Sequence, residues 1–225
     1  MRYLSPLEAR VLGVLVEKQH TVPDTYPLSL NALTAGCNQK TARHPVIEAS
    51  EAEVLTAVAG LKALSLVFEG SGSRVVRYEH NMARVLGLPG AAVALLTVLM
   101  LRGPQTTAEL RAHSERLHRF ADISSVEGFL DELAAKDPPR VVRLARAPGA
   151  RESRWAQLLS GDLGMGGEAA AGADEGPDMP VVAAASLRVG AGEIAALKAE
   201  QARMAAELAE LRGLVQRLAR ELGVE

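Results

Sequence analysis

Cysteine and aromatic residues are scarce in this sequence, and their scarcity argues against several classes of protein. Cysteine occurs once, at Cys37, so the chain can form neither an internal disulfide nor a cysteine-rich metal site. This usage fits a reducing compartment, and we expect Cys37 to be a small buried hydrophobic residue. Aromatic residues make up 3% of the chain, too few for the stacking platforms of many proteins that bind single strands.

Long hydrophobic runs are also absent. The longest uncharged stretch, residues 85–101, is interrupted by Gly87, Pro89 and Gly90, which leaves too few residues to cross a hydrocarbon layer of about 30 Å. We therefore expect a buried core helix there. The N-terminus lacks the apolar region of a signal peptide. The sequence thus predicts a cytoplasmic protein without a membrane segment.

Neither sign of charge dominates the composition. The chain has 25 Lys and Arg against 27 Asp and Glu, a net charge of −2 at pH 7. Residues 1–160 carry 19 basic and 16 acidic residues, net +3, whereas residues 161–225 carry 6 and 11, net −5. Neither value is the strongly basic footprint of a protein that coats nucleic acid. Any nucleic-acid binding must come from local patches.

Two capping boxes mark helices in the first part of the chain. Ser5 and Glu8 have the spacing in which a hydroxyl and a carboxylate cap a helix N-terminus, and the apolar stripe that follows predicts a helix ending near Lys18. Ser50 and Glu53 repeat this spacing before another apolar stripe. Between them we predict a short helix over 29–35, ended by Gly36.

A hairpin is predicted after these three helices. Residues 66–69 and 74–79 are rich in β-prone side chains, and the Gly and Ser residues at 70–73 are typical of a hairpin turn. The same order returns in the second part of the chain. It predicts a helix over 90–101, a short helix after a capping box at 106–109, and a third helix capped by Ser124. Two strands over 141–145 and 151–158 follow.

Three helices followed by a hairpin is the element order of a winged helix. The predicted fold is α+β and mostly helical, with one winged-helix domain over residues 1–85 and a second over 86–160. The connections at 36–49 and 113–123 are longer than the usual turn of 3–4 residues, so we predict a winged variant with an inserted connection.

The C-terminal region changes character twice. Residues 161–192 are rich in Gly, Ala and acidic residues without periodicity, which predicts a flexible linker. Residues 193–225 show alternating spacings of 3 and 4, which predict a coiled-coil helix and hence a homodimer. An amphipathic helix packed on its own body is the alternative. The candidate dimerisation residues are Ile194, Leu197, Gln201, Met204, Leu208, Leu211, Val215, Leu218 and Leu222.

Three stretches of the sequence resemble one known family. Residues 7–13, 31–46 and 141–154 are similar to the YceH family of bacterial proteins, and the similarity covers roughly residues 1–160. The resemblance implies two tandem winged-helix domains, similar in fold to transcriptional regulators. It implies no particular biochemical activity, because a fold does not determine a function.

The third helix of each half is acidic. Glu51 and Glu53 open the first, and Glu127, Asp131 and Glu132 lie on the second. Carboxylates repel phosphates and release no counterions, so readout of the major groove by these helices is disfavoured. Basic and amide side chains are concentrated elsewhere, in the first connection and on the two hairpins. The candidate nucleic-acid-binding residues are Asn38, Lys40, Arg43, Arg74, Arg77, Arg143, Arg146, Arg151 and Arg154.

Each of these patches has a second interpretation. Residues 38–43 either contact phosphates and bases or bond to their own backbone. The arginines of the second hairpin either bind phosphates or form ion pairs on a solvated hairpin, because strand alternation splits them between two faces.

Two functional hypotheses follow from these patterns. The first is a regulator-like dimer that binds double-stranded DNA through its basic hairpins and the 38–44 connection. The alternative is a scaffold that binds protein partners through its winged-helix domains and coiled coil. Catalytic loops and metal-binding motifs are missing from the sequence, so we expect no enzymatic activity, no cofactor and no metal site.

Overall fold

The structure is a computed structural model that describes residues 2–70, 75–146, 148–149 and 151–161. These residues belong to one compact unit, Met1–Glu168, with an α+β fold. The predicted coiled coil with its nine dimerisation residues, and the predicted linker from residue 162 onward, lie outside the described residues. Arg74 of the first hairpin lies outside them as well.

The first half contains three helices and a small antiparallel sheet. The third strand in chain order lies in the middle of this sheet, between the first and the second, and a short helix follows the sheet. Between the first helix and the first strand lies one turn of 3-10 helix, Pro23–Thr25. The elements are α1 Pro6–Thr21, β1 Leu28–Ser29, α2 Leu30–Cys37, α3 Glu51–Ala63, β2 Val67–Gly70, β3 Arg77–His80 and α4 Met82–Leu86.

The second half repeats the order of three helices and a strand pair. Its two strands are antiparallel, with Val141 opposite Gln157 and Arg143 opposite Trp155. Gln105 forms an isolated bridge to Trp155, which attaches the loop after the first of these helices to the hairpin. The elements are α5 Gly90–Arg102, α6 Thr107–Ser114, α7 Ile123–Ala134, β4 Val141–Arg143 and β5 Trp155–Gln157.

The capping boxes predicted from the sequence are confirmed. Ser5 Oγ accepts a hydrogen bond from Glu8 N at 3.1 Å, and Glu8 Oε2 accepts one from Ser5 N at 2.7 Å. The same reciprocal pairs cap α3 at Ser50 and α6 at Thr106. These side chains satisfy backbone N–H groups that have no partner inside the helix, so each helix begins where the sequence predicted.

Three predicted helix boundaries differ from the structure, and the first is the end of α1, which was predicted near Lys18 and lies at Thr21. Gly36 does not end the second helix but lies inside α2, where a β-carbon would come within 2.6 Å of Val14 Cγ1. The glycine therefore permits close packing of α2 on α1 and does not act as a stop signal. The last helix is capped by Asp122 and not by Ser124, because the Asp122 carboxylate accepts a hydrogen bond from Ser125 N at 2.7 Å.

One hydrophobic core extends through both halves. The predicted boundary between residues 85 and 86 falls inside α4, and buried side chains of α1 and α5 belong to the same cluster. The two helices approach closely, since a β-carbon at Gly13 would lie 2.9 Å from Leu101 Cδ2. Every residue of α5 from Ala91 to Leu101 is buried, which confirms the predicted core helix. Among the helices of the described ranges, none is long and apolar enough to span a bilayer.

Candidate nucleic-acid interface

The second hairpin presents arginines without carboxylate partners. Arg146, Arg151 and Arg154 are exposed. The ion pairs found among the described residues involve other side chains, and Glu152, the acidic residue between these arginines, is in none of them. Within residues 141–161, as far as the structure describes them, the ion-paired alternative is therefore not what is observed. These guanidinium groups are available to an external anion.

The register of this hairpin separates its arginines onto two faces. Arg143 pairs with Trp155, and its guanidinium carbon lies 5.8 Å from the centroid of the indole ring, within the range of a cation–π contact. Leu144 N donates to Arg154 O at 2.8 Å, which extends the pairing by one position. Neighbouring positions on a strand point to opposite faces. Arg143 and Arg154 therefore lie on opposite faces of the hairpin.

The first hairpin offers one described arginine. Arg77 is exposed, and its Nη1 donates to the carbonyl oxygens of Pro27 at 2.7 Å and Thr25 at 3.3 Å. These bonds fasten β3 to the 3-10 turn that precedes β1. Arg77 therefore has a local structural role that sequence reasoning missed, although the residue as a whole is exposed.

The connection between α2 and α3 is held in place by its own side chains. Asn38 Nδ2 donates to Ala49 O and Asn38 Oδ1 accepts from Ala49 N, both at 2.8 Å. Its amide thus joins the two ends of the connection and is not free to contact a base, which agrees with the backbone-bonding interpretation. Lys40 is exposed and forms no ion pair among the described residues, so it stays a candidate contact.

Arg43 is a structural residue, and its assignment as a phosphate contact is wrong. Its side chain is 0% exposed, and it forms a two-pronged ion pair with Glu17, with Nη1 3.0 Å from Oε1 and Nη2 2.6 Å from Oε2. Nε also donates to Gly36 O at 3.2 Å. Burial raises the pKa of Glu17, but the hydrogen bond and charge of Arg43 outweigh this and leave the pKa lowered.

Arg10 also holds the connection between α2 and α3 in place. It lies on α1 with 3% of its surface exposed, and it donates to Cys37 O at 3.1 Å and Pro45 O at 2.6 Å. Burial, together with the charge of Arg43, lowers the pKa of Arg10. Sequence reasoning missed this residue, although an arginine beside the apolar stripe of a core helix is a signal of a buried polar contact.

The thiol of Cys37, the one cysteine of the sequence, is unreactive in the folded protein. Cys37 is buried at the end of α2, and burial raises its pKa to about 11. The thiolate form is therefore scarce near neutral pH, as expected of a hydrophobic core cysteine. No group of three or more metal-binding side chains occurs in the described parts of the chain.

The acidic faces of the third helices are exposed as the sequence indicated. Glu51 and Glu53 on α3, and Glu127, Asp131 and Glu132 on α7, all lie at the surface. Hydrogen bonds from the Ser50 hydroxyl and backbone lower the pKa of Glu53, so this carboxylate stays ionised. A duplex docked on α3 or α7 would meet negative charge first.

Comparison with known proteins places the chain in a family. A family model described as a protein of unknown function, DUF480, matches residues 4–150. UPF0502 proteins of Burkholderia pseudomallei strain 668, Burkholderia multivorans and Burkholderia cenocepacia strain HI2424 are each 66% identical over 225 residues, which is 100% of this chain and 92% of the relative. The chain belongs to the UPF0502 (DUF480) family. This confirms the resemblance to the YceH group that the sequence showed.

Proposed function

We propose that this UPF0502 protein is a non-enzymatic, cytoplasmic DNA-binding protein of tandem winged-helix type, which acts as a homodimer through residues 193–225. The observation that carries the proposal is the set of unpaired, exposed guanidinium groups at Arg146, Arg151 and Arg154. Guanidinium groups without a protein partner bind phosphates, and neutralising phosphates provides most of the affinity of non-specific DNA binding.

The order of elements supports the winged-helix assignment. In each half, three helices precede an antiparallel strand pair. In the second half, Arg146, Arg151 and Arg154 lie between the two strands in sequence. A winged helix can contact the DNA backbone with its hairpin. The acidic surfaces of α3 and α7 favour this mode over insertion of the third helix into the major groove.

The proposal is tested by the dependence of duplex binding on salt. Fluorescence anisotropy with a labelled mixed-sequence duplex is measured over a salt series for the full-length protein and for the triple variant Arg146→Ala, Arg151→Ala, Arg154→Ala. We expect the slope of log K against log salt to fall by about 0.9 for each phosphate that the variant no longer neutralises. Arg143 is left unchanged because it packs on Trp155.

A matched control removes the same charge from other surfaces. Arg84, Arg116 and Arg119 are exposed and form no ion pair among the described residues, so their triple alanine variant changes the net charge equally. The proposal expects this variant to retain most of the wild-type slope. Equal reductions of the slope in both variants, or no binding by the wild type at low salt, would refute a specific role of the hairpin.

A scaffold that binds protein partners is the second candidate function. Leu55 is 46% exposed and lies one helical turn after Glu51 on α3, and Phe68 on β2 is 44% exposed. Exposed apolar side chains beside acidic ones suit a basic, amphipathic protein partner. If the protein fails to bind DNA, replacing Leu55 and Phe68 by Ser in a capture experiment with purified candidate partners tests this function.

A further inference from the structure

Arg102 is a cation without a partner where the two halves meet. It ends α5, the helix whose buried residues join both halves in one core, and its side chain is partly buried. No carboxylate within the described residues lies within 4.0 Å of it, and no acceptor there takes a hydrogen bond from it. Burial lowers the pKa of Arg102, while the charges of Glu17 and Arg43 act on it in opposite directions.

The nearby carboxylate is already occupied. Both oxygens of Glu17 accept hydrogen bonds from Arg43, and Lys18 Nζ lies 3.5 Å from Glu17 Oε2. Arg102 therefore has no counter-ion of its own. A partly desolvated guanidinium with free N–H groups is unfavourable in isolation, and an anion that accepts its hydrogen bonds would offset this.

The first half of the chain meets Arg102 on one side. His44 N donates to Leu101 O at 2.8 Å, which places the connection that carries Lys40 against the end of α5. The His44 ring also lies beside Gly103, where a β-carbon would come within 3.4 Å of Cδ2. His44 and Lys40 are both exposed.

The second half is joined to the segment that follows Arg102. Burial and the charge of Arg102 lower the pKa of His113, whose Nδ1 lies 2.5 Å from Gln105 Oε1. Gln105 exchanges two backbone hydrogen bonds with Trp155, at 3.0 and 2.7 Å, and Arg143 lies over the Trp155 ring. Gln105 lies three residues after Arg102 in the chain, so this bridge ties the segment that follows α5 to the base of the second hairpin.

We propose that Lys40, Arg102 and Arg143 form one phosphate-binding surface for duplex DNA, with Arg102 as its central contact. We call these three residues the junction surface. The inference rests on the proposed function and extends it: the two halves bind a single continuous length of duplex together, instead of acting as two independent hairpin readers. The junction surface includes a residue, Arg102, that lies on neither hairpin.

The local charges favour an external phosphate at this surface. Glu17, whose charge acts on Arg102, is neutralised by Arg43, and Glu109, whose charge raises the pKa of His113, caps α6 through Thr106. The planar guanidinium of Arg102 suits two-pronged bonding to a phosphate. Because both halves share one core, the backbone positions of the three residues are fixed relative to one another, which lowers the entropy cost of binding.

The test compares single substitutions in the full-length protein. Arg102→Gln removes the central cation, Arg102→Lys keeps the charge but not the planar fork, and Arg84→Gln removes an exposed arginine from α4 as the matched control. Binding to a mixed-sequence duplex is followed by fluorescence anisotropy over a salt series, and thermal unfolding reports on the fold. Arg102 has no partner in the described fold, so we expect its variants to unfold no earlier than the wild type.

The expected results separate this inference from the proposed function. Arg102→Gln lowers the salt slope by about 0.9 and weakens binding about tenfold at low salt, whereas Arg84→Gln changes neither. Arg102→Lys keeps the wild-type slope and binds more weakly. Lys40→Gln lowers the slope by the same amount as Arg102→Gln. If the hairpin triple variant weakens binding but Arg102→Gln does not, the junction surface is refuted and the proposed function stands.

Other outcomes overturn the inference as well. A wild-type protein that binds no duplex refutes both proposals. Equal weakening in Arg102→Gln and Arg84→Gln shows only a general effect of charge. Binding of poly-glutamate as tightly as DNA, abolished in Arg102→Gln, shows that the surface binds acidic protein. If Arg102→Gln unfolds early, Arg102→Lys replaces it in the comparison. A wild-type slope with weaker binding by Arg102→Lys supports the inference, and wild-type affinity refutes it.

Discussion

Replacing Arg43 by Ala is expected to destabilise the fold strongly. The guanidinium is fully buried, and its removal leaves the Glu17 carboxylate, whose side chain is 17% exposed, without its main partner. Breaking a buried ion pair from one side typically costs about 3–5 kcal/mol, and the residual exposure of Glu17 favours the lower end, about 3 kcal/mol. For a domain of this size, that destabilisation lowers the unfolding temperature by about 6–12 °C.

The assay is thermal and urea unfolding of the full-length protein, followed by circular dichroism. Lys40→Ala is the control, because Lys40 lies on the same connection but is exposed, and its change in stability should stay within about 0.5 kcal/mol. Arg43→Lys retains a charge but not the two-pronged geometry, so we expect an intermediate destabilisation.

A double-mutant cycle with Glu17→Gln measures the pair directly. The coupling energy between Glu17 and Arg43 should be at least about 1 kcal/mol. A destabilisation below about 1 kcal/mol for Arg43→Ala, or additive effects of the two substitutions, would refute the structural role that we assign to Arg43.

Three further predictions concern packing, pH and the thiol. Gly36→Ala should destabilise the protein by about 1–3 kcal/mol in urea unfolding, because the added β-carbon would lie 2.6 Å from Val14. Gly128→Ala on α7 is the control: nothing lies within 4 Å of its β-carbon, so it should stabilise the protein by about 0.5–1 kcal/mol. The opposite order of stabilities would contradict the packing of α2 on α1. Burial lowers the pKa of His80 to about 4, so its contribution to stability is present above its unfolded pKa near 6.5 and is lost as the pH falls toward 4. Between pH 7.5 and 5, His80 should account for at most about 2 kcal/mol of the decrease in stability, measured as a smaller decrease in His80→Gln than in the wild type. Cys37 should react with an aromatic disulfide reagent at pH 8 only after unfolding in urea, and rapid labelling of the native protein would contradict its burial.

Local chemistry explains which parts of the fold the sequence could predict. The capping boxes at Ser5, Ser50 and Thr106 act within four residues, so their pattern marks helix starts without reference to the rest of the chain. The prediction that Gly36 ends α2 fails because this glycine serves a close contact with Val14 on another helix, which no local pattern reveals. The cap of α7 was predicted two residues late because both Asp122 and Ser124 are good cap residues.

The candidate interface was predictable only in part, for a related reason. Exposed arginines on a hairpin can be recognised from a charged run beside turn residues, as at Arg146 and Arg151. The burial of Arg43 could not be recognised, because it depends on Glu17, a residue 26 positions away in sequence. Arg102 gave no signal either, since its importance comes from what it lacks: a partner in three dimensions.

The packing of α1 on α5 also determines how the chain would respond to a backbone break. The link between α4 and α5 is short, and it includes Gly87, whose φ of 60° places it in the left-handed region. A protease cut in this link would not release two separate domains, because each fragment would keep one wall of the same hydrophobic interior. The fragments would stay associated like the subunits of an obligate heterodimer, and the nicked protein would still migrate as a single particle.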